Sequence, residues 1–187
     1  MLILPESYHY RDNYFALFIM NNVRVLSRDI RPESSHMNHE AIYQELADFW
    51  NNNMPFNQLL GLKITRFNAQ NSEVRFAWQD KLIGNPMQKI LHGGVTASAL
   101  DLAGGTVAAA NIIEQLPDVS PATIRQSLSK IGTIDLRTDF LRPGRGEEFI
   151  VTAHIIRSGS KVAVARMEMH NELGEHIAFG TGTYMVG

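Results

Sequence analysis

Between Leu91 and Ala110 the chain reads LHGGVTASALDLAGGTVAAA, and from Gly93 to Ile113 its only charge is Asp101. Small and apolar residues of this kind make a buried helix. A carboxylate left alone in one costs several kcal/mol unless it is protonated, paired or used in chemistry. Used in chemistry, it takes a proton or attacks as a nucleophile. His92, directly before Gly93 and Gly94, adds a second titratable group. The absence of cysteine excludes disulfides, thiolate metal sites and a cysteine nucleophile together, and it suits a reducing cytoplasm. Of the seven histidines only His36 and His39 have ligand-like spacing, and they fall at a polar linker, so no metal site is expected. Arg125, Lys130, Arg137, Arg142 and Arg145 are candidate donors to anions, with Arg142 and Arg145 held near each other by the RPGRG turn at 142–146.

The elements that must position these groups follow from pattern. Residues 1–36 mix aromatics and charges without a clean period and end in the polar tract RPESSH at 31–36. They form a separate extension, or the natural start is Met37; both readings stand. A domain over 37–187 follows. His39 to Asn51 places Ile42, Leu46, Ala47, Phe49 and Trp50 near helical spacing, and NNMPF at 52–56 breaks it. Gly61–Phe67 and Glu73–Gln79 read as two antiparallel strands, and Lys81–Leu91 as a loop delivering the chain to the His-Gly-Gly turn. After the central helix, Ala122–Lys130 reads as a short amphipathic helix.

Four strands complete the chain. In Ile131–Leu141 the residues Thr133, Asp135, Arg137 and Asp139 fall on one face and Ile134, Leu136 and Phe140 mainly on the other, and the RPGRG turn follows. Glu148–Ser158, Lys161–Asn171 and His176–Val186 are the rest. Two strands, one long helix and four strands in meander order make an α+β domain whose antiparallel sheet wraps the helix. Its open edges favour pairing with a second copy.

Composition narrows the function classes. With 17 Lys and Arg against 19 Asp and Glu, the formal charge of −2 offers no bulk attraction to nucleic acid or an acidic membrane. The N-terminal apolar patches are interrupted by Pro5, Glu6, Arg11 and Asp12 and lack the basic start and small-residue cleavage site of a signal peptide. The run from Gly93 to Ile113 is long enough to span a bilayer, but Gly, Ala, Thr and Ser around a central Asp fit a core helix better.

His-Gly-Gly at 92–94, an acid nine residues after the His at Asp101, and a strand ending Leu-Arg-Pro at 141–143 form an ordered set. This set resembles the hot-dog fold acyl-CoA thioesterases of the PaaI-like branch. The match runs over roughly 39–187. Several stretches are similar to the bacterial YigI-type enzymes in particular: MPFN (54–57), GN (84–85), ILHGGV (90–95), ASALD (97–101), GTIDLR (132–137), LRPGRG (141–146), KVAVAR (161–166) and TYMVG (183–187).

The resemblance implies hydrolysis of acyl-CoA thioesters, medium to long in chain, by a homodimer or dimer of dimers with active sites at the subunit interface and no metal or redox cofactor. It implies that Asp101 works across the interface, as general base on water or as nucleophile, on a thioester held by the partner chain's His-Gly-Gly turn. The physical reading agrees: Gly93 and Gly94 let backbone approach the thioester and leave N–H groups free at the positive end of a helix, an oxyanion site. By the same resemblance His92 shapes the turn, Thr133 orients the nucleophilic water, and Asn85, or in competition Gln88, holds the thioester carbonyl. Where some relatives carry a hydroxyl four residues after the acid, this chain has Gly105. Arg142 and Arg145 become the candidates for the CoA phosphates. Two rival classes remain open: a hot-dog hydratase or dehydratase, against which the absence of its Asp-to-His loop pattern before His92 counts, and a non-catalytic acyl-CoA-binding module.

Overall fold

The computed structural model describes residues 39–187. The expectations for the extension at 1–36, for a start at Met37 and for His36 lie outside these residues. In chain order the elements are α1 (His39–Asn53), α2 (Pro55–Leu60), β1 (Lys63–Phe67), β2 (Asn71–Ala77), β3 (Ile83–Asn85), β4 (Ile90–Leu91), α3 (Gly93–Glu114), α4 (Pro121–Leu128), β5 (Gly132–Phe140), β6 (Glu148–Ser158), β7 (Val162–Asn171) and β8 (His176–Met185). Six strands make one antiparallel sheet in the order β1-β2-β6-β7-β8-β5, and β3 pairs with β4 alone. The expected α+β architecture, a hot-dog sheet around a long central helix, is the one observed.

The core lies between α3 and the sheet. Alternation along β2, β6 and β7 turns Val74, Phe76, Phe149, Val151, Met167 and Met169 inward, all nearly inaccessible to solvent. Phe76 and Phe149 stack at 5.1 Å. Ala99, Ala103 and Ala110 present a face of α3 with little side chain, and Ala163 and Ala165 of the sheet are also fully buried. Small residues on both surfaces bring helix backbone close enough for Ser72 Oγ to donate to the Ala103 carbonyl at 2.6 Å. By length and apolar composition α3 is the one described helix that could cross a membrane, yet Ala99, Leu100, Ala103 and Val107 are covered within the protein.

At one end of the sheet α1 buries Tyr43, Leu46 and Ala47, with Tyr43 and Trp50 edge-on to Phe67 at 5.0 and 5.2 Å. Asn51 behaves as an extra strand position: its Nδ2 donates to Ile64 O at 2.9 Å and its Oδ1 accepts from Ile64 N at 2.8 Å. Tyr43 OH donates to Glu114 Oε2 at 2.8 Å, fastening α1 to the end of α3. Burial first, and then the Glu114 carboxylate, hold that phenol protonated well above its usual range.

Four sequence expectations are corrected. The NNMPF break is only one residue wide: Met54 separates α1 from α2, which starts at Pro55 and stops at Gly61 in the left-handed conformation, φ 76°. Lys81–Leu91 is not a plain loop, because a 3₁₀ turn at Asp80–Leu82 leads into the β3–β4 hairpin. The last four strands are not a simple meander. Both edges of β6 are taken, by β2 and β7, so β5 occupies the free edge of β8. Finally, Thr133 does not share a face with Asp135, Arg137 and Asp139. Thr133 pairs with Tyr184 and Asp135 with Thr183, so Ile134 is a bulge that resets the alternation. Thr133 therefore faces the helix side with Tyr184.

Candidate active site

Asp101 sits in the third turn of α3, half-buried at the mouth of a cleft of about 590 Å³. Trp50 from α1, Phe56 from α2, Leu102 and Ala109 from α3, Leu128 from α4 and Ile131 after it line the cleft, so its interior is mainly apolar. Two hydroxyls reach one oxygen of the carboxylate. Thr133 Oγ1 donates to Asp101 Oδ1 at 3.0 Å, and Tyr184 OH lies 3.3 Å from the same oxygen and 3.3 Å from the Asp101 carbonyl. Oδ2 accepts from no group among the described residues. Tyr184 is only 1% exposed. Its burial, then the neighbouring Asp101 charge and Asp135 beyond it, keep the phenol protonated far above its ordinary range, which makes it a donor. Gly104 and Gly182 leave the space for this hydroxyl. A methyl at Gly182 would lie 2.6 Å from the oxygen, and one at Gly104 would lie 2.8 Å from the ring carbon bearing it.

At the start of α3, His92 is the N-cap, and its Nδ1 accepts from Gly94 N at 2.9 Å. A ring nitrogen that accepts is unprotonated, so the neutral imidazole carries its proton on Nε2. His92 N donates to Leu82 O at 2.8 Å, fixing the turn to the 3₁₀ segment. Gly94 N–H is thus occupied, whereas Gly93 N–H has no acceptor among the described residues. The expectation of two free donors narrows to Gly93. Gly93 lines a second cleft, together with Ile90, Leu91, Phe140, Arg142 and Pro143. Asp101 is the eighth residue after Gly93, about 12 Å along a helix axis, and the two residues line separate clefts of one chain.

The remaining candidates fall beside the His-Gly-Gly turn and not beside Asp101. Asn85 Oδ1 accepts from Met87 N at 3.0 Å and Gln88 N at 3.3 Å, closing the β3–β4 turn. The Asn85 Nδ2 group has no acceptor among the described residues. Gln88 offers its carbonyl to Arg145 Nη1 at 2.7 Å, and Arg142 Nη1 donates to His176 O at 2.9 Å. Each of these exposed arginines anchors a different element through one nitrogen and keeps other N–H groups for an anion. Gly105 lines the cleft beside Asp101, while Gly104 is buried against Tyr184.

Sequence reasoning weighed His36 and His39 for a metal and passed over Glu168, His170 and His176, whose ligand atoms lie within 4.8 Å of one another on the outer side of the sheet. The two imidazoles stack at 4.4 Å with planes only 17° apart. Near-parallel rings that far apart cannot both aim in-plane lone pairs at one ion about 2 Å from each nitrogen, so the trio is not a formed metal centre. The functional candidate missed was Tyr184. Its signal was the row Gly180, Gly182, Tyr184, in which two absent side chains on the inward face precede one large polar aromatic.

A sequence model of the thioesterase superfamily matches residues 88–178. The chain is 50% identical over 134 residues, 72% of its length and 86% of the relative's, to the medium/long-chain acyl-CoA thioesterase YigI of Escherichia coli. Identity and coverage are the same share for the protein of that name from Salmonella typhimurium. A crystal structure from Shewanella oneidensis, described as related to the thioesterase superfamily, superposes with a TM-score of 0.76 at 48% identity, covering 80% of this chain and 97% of that one. With its helix-wrapping sheet, its His-Gly-Gly cap and its carboxylate on the core helix, the chain belongs to the thioesterase superfamily.

Proposed function

We propose that the protein hydrolyses acyl-CoA thioesters of medium to long chain, with Asp101 activating water. The observation that carries this reading is a half-buried carboxylate on the core helix, restrained through one oxygen at the mouth of an apolar cleft. The cleft takes the acyl chain along α3 between Asp101 and Ala109. The Gly93 N–H, at the positive end of the helix, receives the thioester oxygen, and Asn85 Nδ2 assists it. Arg142 and Arg145 take the CoA phosphates.

Asp101 removes a proton from water, the water oxygen bonds to the thioester carbon, and the resulting oxyanion rests on Gly93 N–H. Collapse breaks the C–S bond. The departing thiolate takes the proton that Asp101 acquired, leaving free acid and CoA. No metal or redox cofactor enters this scheme. One chain keeps Gly93 and Asp101 about 12 Å apart along the helix, so a complete site combines Gly93 of one copy with Asp101 of another in a homodimer or dimer of dimers. An acyl-CoA substrate and a cysteine-free chain both suit the cytoplasm.

Thiol release measured over an acyl-CoA chain-length series tests the reading. Asp101→Asn is expected to lower kcat by about a hundredfold or more while leaving the melting temperature near that of the parent. Near-normal thiol release by that variant would overturn the role of Asp101. Conversion of the acyl chain without thiol release would instead mark a hydratase, and saturable binding without turnover a binding module.

A further inference from the structure

We propose that Tyr184 is a positioning residue of the active site, which with Thr133 holds Oδ1 of Asp101 and so reserves Oδ2 as the oxygen that reacts. This inference rests on the reading of Asp101 as the catalytic carboxylate.

Rotation of a carboxylate about its last torsion is broad and nearly two-fold, so an unrestrained Asp presents either oxygen in a range of orientations. Here that freedom is removed from one side only. Thr133 and Tyr184 are cross-strand partners on β5 and β8, and their hydroxyls converge on Oδ1 at 3.0 and 3.3 Å. The bulge at Ile134 makes this possible, because with regular alternation a residue at position 133 would face away from the helix together with Asp135, Arg137 and Asp139. Tyr184 also touches the Asp101 carbonyl at 3.3 Å, tying the hydroxyl to helix backbone as well as to the side chain. Its ring cannot swing away, since Gly104, Gly182 and Met167 surround the space it fills and it is almost fully buried.

Tyr184 is suited to holding and not to proton transfer. Burial and the adjacent carboxylate keep its phenol protonated throughout the range in which hydrolysis would be measured. Two donors on Oδ1 make that oxygen the poorer proton acceptor. Oδ2 has no donor among the described residues and is the oxygen left for water. The cleft supplies no rival for this role, because Asp101 is the one titratable residue among those lining it. Asp135 is the other charge acting on the Tyr184 phenol, and it lies on the opposite face of β5.

Tyr184→Phe keeps the ring in its slot and deletes only the hydroxyl; Thr133→Val deletes the second donor from the edge strand without touching the core. Each is expected to lower kcat for thiol release by about tenfold or more with KM within about twofold, and the double variant to fall below either. Wild-type kcat in Tyr184→Phe overturns the proposal, as does a lowered melting temperature with unchanged turnover of the folded enzyme, which marks a purely structural hydroxyl. Should Tyr184→Phe fail to fold, Thr133→Val decides by the same two readouts. Asp101→Asn separates the levels. If it stays active, the catalytic reading itself fails; if it is inactive while both hydroxyl variants behave as wild type, only the clamp fails.

Discussion

His92 shows how one residue can look like a catalyst and act as a fastener. Its backbone N–H is tied to Leu82 and its Nδ1 accepts the Gly94 N–H, so the imidazole stands where an Asn or Ser N-cap would. His92→Ala is expected to lose about 1 kcal/mol, a fall of about 2–4 °C in melting temperature for a chain of this size. His92→Asn, which can still accept from Gly94, is expected to restore the melting temperature and keep kcat within about threefold. If His92→Asn loses turnover as deeply as Asp101→Asn, the imidazole moves a proton and this account is wrong. Asp101 was legible in the sequence because one charge in a long apolar helix has no inexpensive explanation. Tyr184 was not, because a tyrosine near a chain end reads as an ordinary strand residue until its partner is known.

At the scale of elements, α3 and the long strands β6, β7 and β8 emerged from the sequence near their observed limits because each carries a sustained period, set by burial of one face. The six-residue α2 and the three- and two-residue strands β3 and β4 are too short to carry a period, and contacts with the remainder of the fold hold them. These short elements matter to function. Trp50 of α1, Phe56 of α2 and Met54 between them line the cleft, and the β3–β4 turn carries Asn85 and Gln88 beside the His-Gly-Gly cap. Ala109 lies two turns beyond Asp101 along the same cleft, so in the proposed binding mode its size sets how far the acyl chain reaches. Ala109→Leu is expected to shift the kcat/KM optimum to shorter acyl-CoA, with up to about 1–3 kcal/mol lost to overpacking. An unchanged chain-length profile would place the acyl chain elsewhere.

Over the whole molecule, the proposed mechanism calls on a second copy to bring Gly93 and Asp101 together, and β5 is the candidate surface for it. This edge strand leaves Ile134 and Phe140 more than half exposed, with Phe140 beside Gly93. Gly93→Pro removes the N–H at a position where proline is well accepted and is expected to be inactive, as is Asp101→Asn. Unfolding and refolding the two together is expected to restore about a quarter of wild-type thiol release, since half the dimers are mixed and each mixed dimer has one intact site. No recovery would mean that each chain works alone. The domain class, the core helix, the acid upon it and the His-Gly-Gly start are legible in the chain alone, because burial period and an isolated charge are local signals. Which groups meet Asp101 is set by the folded protein. The β5 bulge that turns Thr133 inward, the pairing of β5 with β8 that sets it opposite Tyr184, and the capture of Gly94 N–H by His92 depend on sheet register and on contacts between distant residues, which no local spacing encodes.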